Sequence, residues 1–386
     1  MESQSEEWDN ISDSELLDID LDHYSSDEQP KPSCSKPDTS KDTVNAIISL
    51  PSDHRNELGL QQRSVKTDEE RGEKRKRNAG VVQKPLLRFM KRHLSVTQLC
   101  EQTWCELKLE YGIRNPQIRK TDKRRTEIQT GASIHLAREL EVHSVIPIDT
   151  KTREDSFGIR ILNVLHMIPI LEAGQCVREF PVFGVLEGVN IMGVIDELSY
   201  NQKGELVLNE LKTRRHDSLP GDAQALGHSF QVGLYKLLFD GLIRGEVRRE
   251  HIVNNFTLRP SQVLGSEVQA HALRIGINVV TFGELVDTFL MVLSCTEVPC
   301  IDLLQMEYRH QDSNSLIGTR VVPFDEAQLR SDLRGYLAYW TGQREPRGVD
   351  IEDAWKCTMC PYSEICDWRK NSSQAPETLH TNKRIK

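Results

Sequence analysis

Residues 95–112 carry a helical pattern, with Ser95 or Thr97 as N-cap and Gly112 as the stop. Pro116 and the charged run Arg119–Arg125 then read as a loop. Thr130-Gly131 leads into a second helix, Ala132–His143, whose apolar residues are Ile134, Leu136, Ala137 and Leu140. A third helix is predicted over about 156–172. The period then shortens to the alternation of strands, and Arg178–Leu186, Val189–Tyr200 and Glu205–Thr213 read as a meander bounded by glycine or polar turns. The polar stretch His216–Asp222 precedes an amphipathic helix over about 223–243. Val253–Leu258 reads as a strand. A helix near 283–293, strands near 303–311 and 317–324, and a helix near 326–341 complete the pattern. Helix, three strands, helix, strand is the order of an α/β core, a mixed sheet flanked by helices. There are no internal repeats.

Composition adds a tail. Residues 1 to about 85 are rich in Ser, Asp, Glu, Pro and Lys and poor in aromatics, so they are read as disordered, with order beginning near Leu86. Within the tail, Ser12–Asp20 mixes acids with aliphatics as docking segments do, although plain acidic disorder is the simpler reading. Arg71–Arg77 reads equally as a nuclear-import patch or a solvated basic linker. The formal net charge of −9 sits in this tail: residues 1–60 hold 15 acidic and 4 basic residues, a net of −11 that leaves +2 on the rest. A basic groove in the folded body is therefore permitted. No apolar run approaches the ~18 residues of a membrane span. The acidic N-terminus lacks the features of a secretory or mitochondrial leader, so nucleus and cytosol are the expected locations.

The candidate chemistry lies in the meander. In Glu210-Leu211-Lys212 the strand puts Glu210 and Lys212 on one face, and antiparallel pairing across Asn201–Gly204 brings Asp196 near them. Two carboxylates and an ammonium suit a hard divalent cation that activates water against a phosphodiester. From spacing alone, a solvated strand face explains them equally well.

The nine cysteines suggest a second centre. In a chain without a leader, closely spaced thiols point to metal ligation rather than disulfides. Cys357, Cys360 and Cys366 form such a set, beginning C-x-x-C, and a fourth donor must come from afar, Cys105 or Cys100. Four thiolates hold zinc or an iron–sulfur cluster, and ligand type does not separate the two. Cys34, Cys176, Cys295 and Cys300 read as buried or incidental thiols.

His135 on a helix before the sheet, Asp196 ending the second strand, Glu210 and Lys212 in the third, and Gln231 with Tyr235 on the next helix follow one another in order. This order resembles the RecB-like branch of the PD-(D/E)xK nuclease superfamily, with its restriction-endonuclease-like core. The segments Thr130–Leu140, Gly193–Leu198, Glu210–Arg215 and Trp340–Pro346, with the cysteine triplet, resemble the exonuclease V family over roughly 90–370.

The resemblance implies that His135, Asp196 and Glu210 bind Mg²⁺ or Mn²⁺ while Lys212 orients or activates water. The Leu211 carbonyl offers a further oxygen ligand. Gln231 and Tyr235 are expected to face the substrate backbone. Cys105, rather than Cys100, joins Cys357, Cys360 and Cys366 on a 4Fe-4S cluster that clasps the two ends of the domain. The implied activity is a single-stranded DNA exonuclease in DNA repair, acting from free ends with a 5′ preference and releasing oligonucleotides; digestion in both directions stays open. The implied partner besides DNA is the single-strand-binding complex RPA, the implied state a monomer. The implied division is a tail to residue 85, a nuclease domain over 86–370 and a basic tail over 371–386. Glu139, a turn after His135, reads as a support for its ring or as an ordinary surface residue, and Arg214 and Arg215 as phosphate contacts or solvated charges. A non-catalytic nucleic-acid adaptor, a structure-specific endonuclease and an RNA-processing enzyme are the rival readings.

Overall fold

The computed structural model describes residues 46–47, 84–123, 126–142 and 144–372. Ser12–Asp20, Arg71–Arg77, Cys34 and the chain after 372 lie outside the described residues.

Five strands make the central sheet: β1 (Val177–Leu186), β2 (Val189–Tyr200), β3 (Leu206–Arg214), β4 (Leu303–His310) and β5 (Leu316–Val322). They lie side by side in chain order, and the two-residue strand Leu94–Ser95 shares the β3 edge of β2. Among these five, neighbours are antiparallel except β3 and β4, which are parallel, and Leu94–Ser95 also runs parallel to β2. The sheet is therefore mixed. The β1–β2 hairpin turns on Glu187 and Gly188, both at positive φ (48° and 78°) as a tight hairpin turn requires. At the β2–β3 turn the Asn201 side chain accepts from the amides of Lys203 and Glu205, at 2.9 and 3.0 Å.

The helices of the described residues include α1 (Val96–Trp104), α2 (Glu106–Arg114), α3 (Thr126–Val142), α4 (Arg153–Glu172), α5 (Asp222–Ile243), α6 (Phe282–Cys295) and α7 (Glu326–Trp340). Alternation along β1 decides which helix meets which face. Phe183 packs its ring on Phe157 of α4 and Phe289 of α6, with centroids 5.2 and 5.7 Å apart. Phe180, three residues earlier and so on the other face, meets Phe239 of α5 at 5.3 Å. Helices thus cover both faces of the sheet, and the core lies in these two layers. No helix among the described residues is long and apolar enough to cross a membrane.

Three expectations are corrected. The helix expected over 95–112 is two helices, capped by Ser95 in a reciprocal box with Gln98, broken at Cys105 and ending past Gly112 at Arg114. Arg119–Arg125 is not simply a loop, because a helix runs over Pro116–Lys123 with proline at its first position. Val253–Leu258 is not a strand: His251–Asn255 forms a helical turn in which Ile252 and Phe256, four apart, are both buried. A short apolar run reads either way until its burial is seen.

The break at Cys105 has a tertiary cause. Cys105 adopts extended backbone (φ −169°, ψ 116°), and the next residue, Glu106, is buried against the C-terminal part of the chain. Its carboxylate accepts from the Arg344 guanidinium, from the Arg347 amide at 2.8 Å and from Gln102 Nε2 at 3.2 Å. Trp340 Nε1 donates to Gln102 Oε1 at 2.8 Å. The bonds from Trp340, Arg344 and Arg347 join residues about 240 apart in sequence. Glu106→Ala is expected to cost about 2–4 kcal/mol by stranding these donors, read as a lower denaturant midpoint at unchanged slope.

Candidate active site and thiol pocket

The β2–β3 ladder runs from Tyr200↔Leu206 to Glu197↔Asn209. Beyond it the Leu211 amide donates to Asp196 Oδ2 at 2.8 Å, so a carboxylate takes the place of a ladder carbonyl. This ties Asp196 to the strand that carries Glu210 and Lys212. On the other edge, Arg178↔Glu197 and Phe180↔Ile195 set Glu179 opposite Asp196. Glu179 leaves the strand conformation, with φ at +56°. His135 reaches in from α3, its Nδ1 3.8 Å from Asp196 Oδ2. One ligand atom from each of His135, Glu179 and Asp196 lies within 4.8 Å of the others.

Glu179 escaped the sequence reading. Its signal was present, since a two-residue hairpin at 187–188 pairs position 179 with 196.

Glu210 and Lys212 lie deeper, their side chains 0% and 1% exposed, and Lys212 Nζ is 3.0 Å from Glu210 Oε1. The same oxygen accepts from Gln231 Nε2 at 2.6 Å, and that nitrogen lies 3.1 Å from Tyr235 Oη. Glu210 is thus bound to its own strand and to α5, and it is not one of the converging trio His135, Glu179 and Asp196. Gln231 and Tyr235 are buried against Glu210 rather than presented to solvent. The polar stripe of α5 continues along β3. His228 Nδ1 meets Tyr308 Oη, opposite Lys212, at 3.0 Å, and Gln224 Oε1 accepts from Arg214 at 3.2 Å.

Arg214 is buried, and Arg215 beside it is exposed. Glu139 is half-buried, and desolvation raises its carboxyl pKa. Leu136 and Leu140, two of the apolar residues of α3, are 40% and 54% exposed.

Gly193 lets Tyr235 approach. A Cβ there would lie 2.5 Å from the Tyr235 ring and 3.0 Å from Val96.

The second centre is a pocket lined by Cys105, Cys357, Cys360 and Cys366. The break between α1 and α2 turns Cys105 into it. Cys100 is packed against the core, where its thiol feels Lys212 and Glu210 and is pushed far up by burial. Burial raises the Cys105 thiol to about 11, helped by Cys360 and Cys357. Burial also raises Cys357, with Cys360 and Cys366 adding to the effect. Around the pocket, Tyr111 stacks on Tyr362 with centroids 6.1 Å apart, and Trp104 meets Trp355 edge-on at 5.5 Å. Lys356, nearly buried, sits 4.8 Å above the Trp104 ring.

The donor sets suit two different groups. Mixed nitrogen and oxygen at the first centre suits a hard or borderline divalent cation, and four sulfurs at the second suit a thiolate-ligated centre.

A sequence model of the family described as exonuclease V, a 5′ deoxyribonuclease, matches residues 84–207, 201–281 and 278–369. Exonuclease V of Danio rerio is 58% identical over 368 residues, 94% of this chain and 93% of that protein. The chain belongs to the exonuclease V family. It is accordingly an exonuclease, a 5′ deoxyribonuclease and so a hydrolase acting on DNA. The matched residues span both centres and every side chain named in them. A protein of Ostreid herpesvirus 1, the uncharacterized ORF95, is 27% identical over 121 residues, 29% of this chain and 39% of its own. The solved structure of SSO0001 overlays on 72% of this chain and 87% of that one, with a TM-score of 0.37 at 15% identity, too slight a likeness to argue from.

Gly193→Ala is expected to force Tyr235 off Gln231 and to cost about 1–3 kcal/mol by overpacking. Thermal unfolding reads the stability loss. A crystal structure of the variant reads the displaced ring.

Proposed function

We propose that this protein degrades single-stranded DNA from free ends, preferring the 5′ end and releasing short oligonucleotides, at a PD-(D/E)xK core. The observation that carries the reading is the convergence of His135, Glu179 and Asp196 beside the buried Glu210–Lys212 pair. Mg²⁺ or Mn²⁺ would be held by His135, Asp196 and Glu210, with Glu179 of the converging trio and the Leu211 carbonyl as further oxygens. Bound there, the cation would supply Lewis-acid activation of water and offset charge on the phosphate.

The chain's own groups have separate parts in this reading. Lys212 orients the attacking water and stabilises charge that builds on the phosphate oxygens. Gln231 holds the Glu210 carboxylate, and Tyr235 holds Gln231, so these two act on the substrate through Glu210. The Leu211 amide fixes Asp196. Binding rests on phosphate contacts and base stacking, with little sequence preference and strong salt dependence.

The four thiols of the pocket would hold a 4Fe-4S cluster with a structural role. Joining Cys105 to the triplet closes a loop of about 250 residues, worth several kcal/mol by constraining the unfolded chain. A nuclease domain over 86–370 between two tails belongs to the same proposal. So do a monomeric state, work in DNA repair in nucleus and cytosol, and contact with RPA through the acidic Ser12–Asp20 stretch.

The reading is tested with linear and circular strands of DNA and RNA under single turnover. Linear single-stranded DNA is expected to be cut and end-blocked circles spared. Cut circles, or RNA cleaved as fast, would overturn it. Asp196→Ala is expected to lose cleavage while keeping single-strand binding. Cys360→Ser is expected to lose iron, brown colour and soluble yield together; a colourless wild-type protein containing zinc would refute the cluster.

A further inference from the structure

We infer that Arg138 is the positioning residue that sets His135 over the cation site, by clamping α3 to the sheet through two carboxylates. The inference rests on the metal-binding reading of His135 and Asp196 proposed above.

Apolar burial alone does not fix α3. Leu136 and Leu140, on either side of Arg138 in sequence, are exposed, at 40% and 54%. What reaches the sheet is the guanidinium of Arg138, itself only 18% exposed. Its Nη1 donates to Glu307 Oε1 at 2.6 Å and its Nη2 to Glu197 Oε2 at 3.4 Å. Glu197 follows Asp196 in β2, and Glu307 of β4 stands opposite Leu211 of β3. One planar fork thus bridges β2, which carries Asp196, and β4, with β3 and its Glu210 between them, and its rigidity makes arginine suited to two anchors at once.

Both anchors are themselves held. Glu307 accepts from Arg309 at 2.5 Å and from Asn209 Nδ2 at 3.2 Å. Glu197 accepts from Arg178 at 2.9 Å. Arg178 closes the frame from β1: it is paired with Glu141 of α3 at 3.0 Å and donates to the carbonyl of Arg138. Its neighbour in β1 is Glu179 of the converging trio.

Arg138 lies three residues after His135, about one turn on, so the two share a helical face. Any rotation or slide of α3 moves both together. With Arg138 fixed on Glu197 and Glu307, the helix phase that leaves His135 Nδ1 3.8 Å from Asp196 Oδ2 is also fixed. A histidine ligand on a helix without such a clamp would lose cation affinity rather than chemistry.

The test measures Mn²⁺ binding to the full-length protein without DNA, by loss of the free-ion paramagnetic resonance signal. It compares wild type with Arg138→Ala, Arg138→Lys, His135→Ala, Asp196→Ala and the His135→Ala/Arg138→Ala double variant. Arg138→Ala is expected to weaken Mn²⁺ binding about 10- to 100-fold, the usual cost of losing an outer-sphere support. Arg138→Lys is expected to recover part of that loss. In the His135→Ala background, Arg138→Ala should add less than a further twofold. Unchanged Mn²⁺ affinity in Arg138→Ala, or an effect that persists in full without His135, overturns the proposal. Wild-type affinity in Asp196→Ala would instead sink the metal reading beneath it. If Arg138→Ala does not fold, Glu307→Gln, which keeps the shape and weakens one anchor, is held to the same outcomes.

Discussion

A carboxylate and an ammonium buried together inside a sheet set the terms for the rest of this molecule. Glu210 and Lys212 are all but removed from solvent, and two charges in that position lose hydration that mutual attraction restores only with good geometry and added hydrogen bonds. The fold provides them. Gln231 donates to the same oxygen as Lys212, Tyr235 lies against Gln231, and Gly193 leaves room for the tyrosine ring. Removing one member of such a pair commonly costs about 3–5 kcal/mol, because the other charge is left uncompensated. The α5–β3 layer is therefore part of the chemistry as much as of the core.

Around this pair the sheet opens a second polar site. The β2–β3 ladder stops short of Asp196, whose carboxylate takes over an amide of β3, while β1 brings Glu179 opposite and α3 brings His135 above. Like charges set directly across a sheet repel, and a strand residue at positive φ is strained. Both features appear at Glu179, next to a histidine, and a shared cation would offset the repulsion. The thiol pocket has a separate task. It lies where α1 breaks into α2, beside the Glu106 contacts that already join the beginning and end of the domain.

Much of this was legible in the sequence, for identifiable reasons. The long meander was read nearly to the residue because its apolar alternation is confined by Gly188 and by the Asn201–Gly204 turn, which fix register. Asp196, Glu210 and Lys212 follow from that register and the two-residue period of a strand. The break at Cys105 was hidden, because it depends on Arg344 and Arg347 about 240 residues away, and periodicity carries no such information. The choice between Cys105 and Cys100 came from resemblance; in the structure Cys105 lines the thiol pocket and Cys100 packs toward Lys212. What holds helix α3 was hidden in another way. Its leucines are exposed and ion pairs anchor it, and a guanidinium reaching two strands leaves no periodic mark.

The central claim is that His135 and the meander carboxylates gather on one divalent cation. A crystal of the full-length protein soaked in Mn²⁺ and measured at the manganese absorption edge tests it most directly. The account expects an anomalous peak within about 2.3 Å of His135 and Asp196 ligand atoms. A peak elsewhere, with this site empty at saturating Mn²⁺, would contradict it.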